Sequence, residues 1–428
     1  MFRSYPEEGM ELREKSHAKF LRVIVPAIAA AIVLGVAVRS ASAAVFDKPV
    51  NVSRNLTRID TLAAIAVDSN NKVHIAWNGF YPKAGAPDGV AADIFYSTNA
   101  SGSFSAPLKI GVPAGWYSRD AAIAVDAKGH VHIVFRRSMS QLNVLDGDDL
   151  YYATNATGHF KRPALLIDGG YSYSDADAVS APHDPIVLCD RLGRVHVTCL
   201  AFSIGGRYEP VVYMTNSSGA WTKPTLAVQG DFLNEHSSAV DRNGHLHIAY
   251  NMNDKKGIGH VYYVHNRAGQ FSSPVMASAP SHEHAGQFQL AVDGRAKAHI
   301  AYRSPFVMPN TPDLFYVNNV TGAFKSRLPV CSGNVYYIPQ IAVDSSNVVH
   351  IAYKVTWPYG GYLYYGNNRT GKFSFSSYKE LTTSWYGWPR YFALGKNGRL
   401  HFAVYDFLDE NAEIYYIAGS QADQTRHQ

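Results

Sequence analysis

One motif recurs along the whole chain and constrains it more than any other feature. "IAVDSNNKVHIAWN" at Ile65–Asn78 returns as "IAVDAKGHVHIVFR", "VLCDRLGRVHVTCL", "SAVDRNGHLHIAYN", "LAVDGRAKAHIAYR", "IAVDSSNVVHIAYK" and "FALGKNGRLHFAVY". The aligned aspartates are Asp68, Asp126, Asp190, Asp241, Asp293 and Asp344, with Gly395 in the seventh place. Their spacings are 58, 64, 51, 52, 51 and 51 residues. A fixed period of about fifty residues marks a repeat architecture, in which each unit buries its apolar faces against its neighbours.

Each unit holds four strand-like runs, as in "AIAVD", "VHIAW", "DIFYSTN" and "FSAPLKI". Alternating apolar residues, β-branched and aromatic enrichment and Gly or Asn punctuation favour antiparallel strands over helices. Four strands repeated seven times predict an all-β fold, a seven-bladed β-propeller of four-stranded antiparallel blades. The last unit stops after "EIYYIAG", one strand short. "FDKPVNV" at Phe46–Val52 has the same lead as "FSAP", "FKRP" and "WTKP", so the mature N-terminus is expected to complete the last blade and close the ring. An N-x-x-G-x-[FW] turn joins the third and fourth strands. Its asparagine is expected to start the turn through its side-chain acceptor, and its glycine to supply positive φ. This turn chemistry accounts for the N-x-[ST] matches without glycosylation.

The first 43 residues read as a signal peptide: a basic lead ending "KFLR", the apolar run "VIVPAIAAAIVLGVAV", then "ASA" before Ala44. The expected layout is a signal at 1–43 and a propeller at 44–428, secreted or periplasmic, monomeric, with no membrane span after cleavage. A net charge of +5, with no block of like charges, argues against nucleic acid as a partner. Three cysteines allow at most one disulfide, so stability must come from the core. Cys189 and Cys199 read as small buried apolar residues.

The repeated aspartates and histidines occur too often to be catalytic. The aspartates are expected to cap the first hairpin, and the histidines to bond a neighbouring turn or blade. With these residues in view, the chain resembles the secreted bacterial propellers with "IAVDxxGxxHIAY" repeats, grouped with the BNR or Asp-box proteins of the sialidase-like superfamily. The resemblance covers nearly the whole mature chain and implies fold more than activity. Its glycine falls three residues after aspartate, as in Asp126 and Gly129, where a sialidase Asp box has two. The sialidase arginine triad is not carried over.

Chemistry is expected where the loops entering the first strand and leaving the second meet the channel. Six residues before each repeat aspartate stand Leu62, Asp120, Asp184, Glu235, Gln287, Ile338 and Pro389. Three adjacent units thus place a carboxyl at equivalent depth, close enough to raise at least one pKa, as acid/base work requires. Asp120, Asp184, Glu235, His183 and His236 are the candidate catalytic residues. Arg119, Arg390, Tyr391, Gln289 and Gln340 stand nearby as candidate substrate contacts. Aromatic loops bearing Trp116, Tyr171, Tyr173, Trp385 and Trp388 suit stacking on sugar rings. Arg136, Arg303 and Lys354, ten residues after the aspartates, read as solvated strand ends that could rim an acidic ligand.

No cofactor is expected. "SHEHAG", with His282 and His284, is a weak zinc motif, and "LDGDD" at Leu145–Asp149 a weak calcium motif. The expected partner is a polysaccharide or other glycan, bound at one channel-mouth site. Hydrolysis would use the carboxyl pair. Lyase chemistry, as the resemblance implies for some propellers, would draw on His183, His236 and Tyr391. A noncatalytic lectin or extracellular interaction scaffold is the alternative from another class.

Overall fold

The computed structural model describes residues 44–420 apart from 56, 87–88, 112–116, 139–147, 170–178, 204–208, 231–232, 234, 280–283, 305–311, 325–326, 333–334, 336–337, 356–361, 380–390 and 409–410. Every regular element among these residues is a strand. They form a β-propeller of antiparallel sheets: four sheets of four strands, one of eight and one of five. In the eight-stranded sheet, two antiparallel sets of strands meet at one parallel bridge, Ala92 to Tyr117.

In the four-stranded sheets the chain runs through its strands in order, so each of these repeats is one up-and-down meander. The second strands are buried on both faces; in Val73–Pro82 only the last three residues reach the surface. Their near-continuous apolar runs follow from lying between two neighbouring sheets. The fourth strands sit at the outer edge, where Leu108, Val275 and Leu328 remain about half exposed. This explains their weaker sequence signal. Each hydrophobic cluster joins consecutive repeats: Ile94 and Tyr96 of the first pack with Ile123, Ile133 and Phe135 of the second.

The first strands Ile59–Val67, Tyr117–Val125 and Val179–Cys189 contact one another in turn, as do His236–Val240, Gly286–Val292, Gln340–Val343 and Phe392–Leu394. Val179–Cys189 also touches His236–Val240, and Phe392–Leu394 touches Ile59–Val67. The N-terminal strands Val45–Phe46 and Val50–Asn51 pair antiparallel with Asn411–Ser420, through Val45 to Ser420 and Val50 to Tyr416.

The repeated residues are scaffold, with partners that differ in part from those the sequence suggests. Aspartate caps its hairpin: Oδ1 of Asp126 accepts from the N–H groups of Lys128 and His130, each at 2.8 Å. Histidine bonds within its own repeat, not to a neighbouring one. Nδ1 of His74, His132, His196, His247, His299, His350 and His401 lies 2.6–2.8 Å from the hydroxyl of Tyr96, Tyr152, Tyr213, Tyr263, Tyr316, Tyr365 and Tyr416 respectively. In the six repeats with aspartate, Nε2 faces that carboxylate at 3.4–3.9 Å. A carboxylate only accepts, so the proton belongs on Nε2 and the tyrosine O–H donates to Nδ1. The tyrosine ring in turn meets an aromatic residue of the next repeat: Tyr96 meets Phe160, Tyr152 meets Trp221, and Tyr416 meets Phe104 of the first.

The asparagine of N-x-x-G closes its own turn through its backbone carbonyl, which accepts the glycine N–H at 2.8 Å in Asn99 and Asn155, while its side chain acts outside the turn. Its Oδ1 accepts the N–H that opens the second strand, as Asn99 does from Val73 and Asn155 from Val131, both at 2.7 Å. The glycine does adopt positive φ, 105° at Gly102 and 99° at Gly158.

Candidate functional site

Four first strands are interrupted at the position six residues before the repeat aspartate. Leu62, Asp120, Asp184 and Gln287 have φ of 54°, 57°, 48° and 47°, and the ladder register shifts at each. These are β-bulges, which re-aim side chains. Left-handed backbone at a non-glycine residue costs about 1–3 kcal/mol and persists only where the surroundings enforce it.

Three of the bulge residues, Leu62, Asp120 and Asp184, meet Glu235 and Ile338 of the equivalent positions at one cavity of about 310 Å³. Ala121, Arg136, Pro185, His236, Phe288 and Gln289 also line it. Five of the predicted site residues are therefore brought together: Asp120, Asp184, Glu235, His236 and Gln289. Leu62, Pro185, Phe288 and Ile338 contribute apolar surface to the lining, alongside the carboxyls. Asp120 and Asp184 stand on the strands Tyr117–Val125 and Val179–Cys189, and Glu235 immediately precedes the strand His236–Val240.

The three carboxyls are not equivalent. Asp120 accepts from Nε of Arg136, whose Nη1 donates to the buried Asp148 at 2.7 Å. Burial raises the Asp148 pKa above the usual carboxylate range. Where the second and fifth repeats carry Arg136 and Arg303, the third carries Leu200. Glu235 is pushed up to about 7. Burial is the main cause, the backbone N–H of Gln287 pulls the other way, the Asp184 charge adds to the rise and Arg303 opposes it. Oε2 of Glu235 accepts that N–H at 2.6 Å. A carboxyl that is half protonated near neutrality beside a second carboxylate is suited to giving and taking a proton. Nε2 of His236 lies 3.1 Å from Oγ1 of Thr198.

Other expected residues lie elsewhere. His183 alternates away from Asp184 along its strand and stacks on Phe202, with ring centroids 5.4 Å apart. Arg119 lies outside the cavity lining, 4.0 Å from Asp148, because it too precedes the bulge. Gln340 is buried and donates to the Pro339 carbonyl at 3.3 Å. Tyr391 belongs to the core cluster with Phe392 and Phe402. Arg136, Arg303 and Lys354 are buried, not solvated strand ends. Arg390, Trp116, Tyr171, Tyr173, Trp385, Trp388 and His282 lie outside the described residues.

No group of three or more His, Cys, Asp or Glu among the described residues is placed to hold a metal ion. Of the two metal motifs, Asp148 and Asp149 face Arg136 and Arg137, and Nδ1 of His284 accepts from the Gly259 N–H at 3.1 Å. Arg136 and Arg303, each held by an aspartate, are buried inside the repeats and do not end strands in solvent. Their signal was the sixteen-residue offset from Asp120 and Gln287, which spans one hairpin.

Three solved structures show how far the likeness extends. An ulvan lyase of polysaccharide lyase family PL25, bound to -[GlcA(1-4)Rha3S]-, matches with 11% identity over 86% of this chain and 95% of its own, at a TM-score of 0.54. The polysaccharide lyase Uly1 matches with 10% identity over 88% and 100%, also at 0.54. The Hadza microbial sialidase Hz136 matches with 11% identity over 69% of this chain at 0.46, and the chain spans 63% of its length. No protein-family model matches the chain, and no curated protein does. At these identities the likeness to the two lyases is one of fold, the β-propeller.

Proposed function

We propose that the chain is an exported, seven-bladed propeller that binds and cleaves a glycan at one site at the mouth of its channel, with Glu235 as general acid/base and Asp184 as its partner carboxylate. The observation that carries this reading is the cavity in which Glu235, at about 7, stands beside Asp184. In glycoside hydrolysis the Glu235 proton would pass to the leaving oxygen as the glycosidic bond breaks. Asp184 would stabilise the positive charge growing at the anomeric carbon, and water would supply the hydroxyl of the new reducing end.

A single site is supported by inequality. Equivalent positions carry Leu62, Asp120, Asp184, Glu235 and Ile338, so the ring presents one acidic arc and one apolar arc. Seven blades are supported by seven His–Tyr pairs. Closure is supported by the pairing of Val45 with Ser420 and by the Tyr416–Phe104 contact. Export rests on residues 1–43. No helix among the described residues is long and apolar enough to cross a membrane.

Lyase chemistry is the second reading. It is favoured by His236 at the cavity, where an imidazole could remove the proton beside a uronate carboxylate. The test is a panel of polysaccharides assayed for reducing ends and for the ultraviolet absorbance of unsaturated uronate, with wild type, Asp184→Asn and Glu235→Gln. New reducing ends without that absorbance, lost in both variants, support hydrolysis. The absorbance marks a lyase, binding without turnover a lectin, and turnover surviving both substitutions removes the site.

A further inference from the structure

Glu235 is held from the neighbouring repeat. The N–H that it accepts belongs to Gln287, in the bulge of Gly286–Val292 with φ of 47°. The direction of that N–H is set by rotation about Gly286 and Gln287, and glycine leaves the rotation soft. A tether removes the freedom. Oε1 of Gln287 accepts from Nη1 of Arg303, and Nη2 of Arg303 lies 3.2 Å from Oδ2 of Asp313. The same oxygen accepts the Val335 N–H at 2.9 Å. Arg303 is only 9% exposed, so this chain of contacts is fixed inside the protein.

The second repeat contains the same device. Asp120 in its bulge is gripped by Arg136, and Arg136 by Asp148. There the gripped residue is a carboxylate. In the fifth repeat it is a neutral amide, which can approach Glu235 without like-charge repulsion.

We propose that Gln287 and Arg303 are positioning residues for Glu235: the Asp313–Arg303–Gln287 tether keeps one peptide N–H on Oε2 and leaves Oε1 to carry the exchangeable proton. The inference rests on the reading of Glu235 as the acid/base group. Asp184 and Arg303 are the charges that act on it, and Asp120, Arg136 and the adjacent His236 line the same cavity.

The test is a carboxyl ¹³C NMR titration of Glu235 in the full chain, with Asp184 and His236 followed in the same spectra. Gln287→Gly permits the positive φ, keeps the N–H and every charge, and removes the side-chain link together with the restraint that a side chain places on φ. Arg303→Met removes the anchor with its charge, and Arg303→Lys restores the charge alone. The wild-type midpoint is expected near 7. Gln287→Gly should raise it, and Arg303→Met should raise it by about one pH unit or more. Arg303→Lys should recover only part of that rise, because a point charge does not reproduce the guanidinium fork. An unchanged midpoint in folded Gln287→Gly overturns the proposal, whether or not Arg303→Met folds. The NMR result stands without any glycan. If turnover is found, the basic limb of its pH profile should move with the NMR midpoint; a limb that stays fixed while the midpoint moves would instead remove Glu235 from the acid/base role.

Discussion

At the scale of single residues, the account turns on why one carboxyl of three should be protonated near neutrality. Asp120 has Arg136 against it. Glu235 has burial and Asp184 acting against its charged form, with one backbone N–H and the more distant Arg303 as relief. Glu235→Gln preserves shape and removes the proton, so kcat on the responsive glycan is expected to fall by about 10²–10⁴-fold with little change in binding. Steady-state kinetics checks this. The positions of Asp120, Asp184 and Glu235 were legible from counting back along the repeats, because a repeat fixes depth in the fold. The bulges were not legible: nothing in "SRDAAIAVD" announces a left-handed aspartate. Tyr391 and Gln340 were misread for a related reason. Proximity in sequence to the mouth does not reveal which way a strand residue points, and a shift of one residue changes the face.

At the scale of elements, the repeated polar residues replace what a larger core would supply. Asn155 satisfies the N–H of Val131, which is wholly buried. Asn155→Ala leaves that donor without its partner and should cost about 1–3 kcal/mol, whereas Asn155→Asp keeps an acceptor and should cost less. The urea midpoint should fall with an unchanged slope.

The seven histidines of the hairpins all titrate below the ordinary histidine value, with burial the leading cause; His247 and His401 are lowered to about 4. The unfolded chain therefore binds more protons than the folded one once pH drops below about 6.5. The contribution of these histidines is full above that value and is lost as pH falls from it towards 4, flattening below the folded pKa values, while the single Glu235, raised to about 7, acts with the opposite sign. Asp126, Asp190 and Asp241, lowered from 3.8 by backbone and side-chain hydrogen bonds that outweigh burial, extend the loss to more acid pH. Thermal melts from pH 7 to pH 4 should show a continuous decline, and a melting temperature constant over that range would contradict the neutral His–Tyr arrangement. That these histidines were scaffold followed from their number. Their partners did not, because the third-strand tyrosines vary in offset from repeat to repeat.

At the scale of the whole molecule, the fold was the most legible part. A period near fifty residues with four strand signals each yields the observed meanders directly, and the F-x-x-P lead of Phe46 pointed to the strand that pairs with Asn411–Ser420. The N-terminal segment is tied further by Glu413, which accepts from the side chain of Asn51 and from the backbone N–H of Asn55, the latter at 2.9 Å. Deleting residues 44–54 should expose both the edge of Asn411–Ser420 and Val52's place in the core, and so lower the melting temperature and promote aggregation. Unchanged melting would refute closure by this strand.

The central claim is that near-identical repeats build the frame while their few differences make one site. A crystal structure of the protein soaked with the glycan that responds in the panel tests this most directly. The account predicts sugar density in the cavity between Leu62 and Phe288, within hydrogen-bond reach of Glu235 and Asp184. Sugars repeated in equivalent positions around the ring, with that cavity empty, would contradict it.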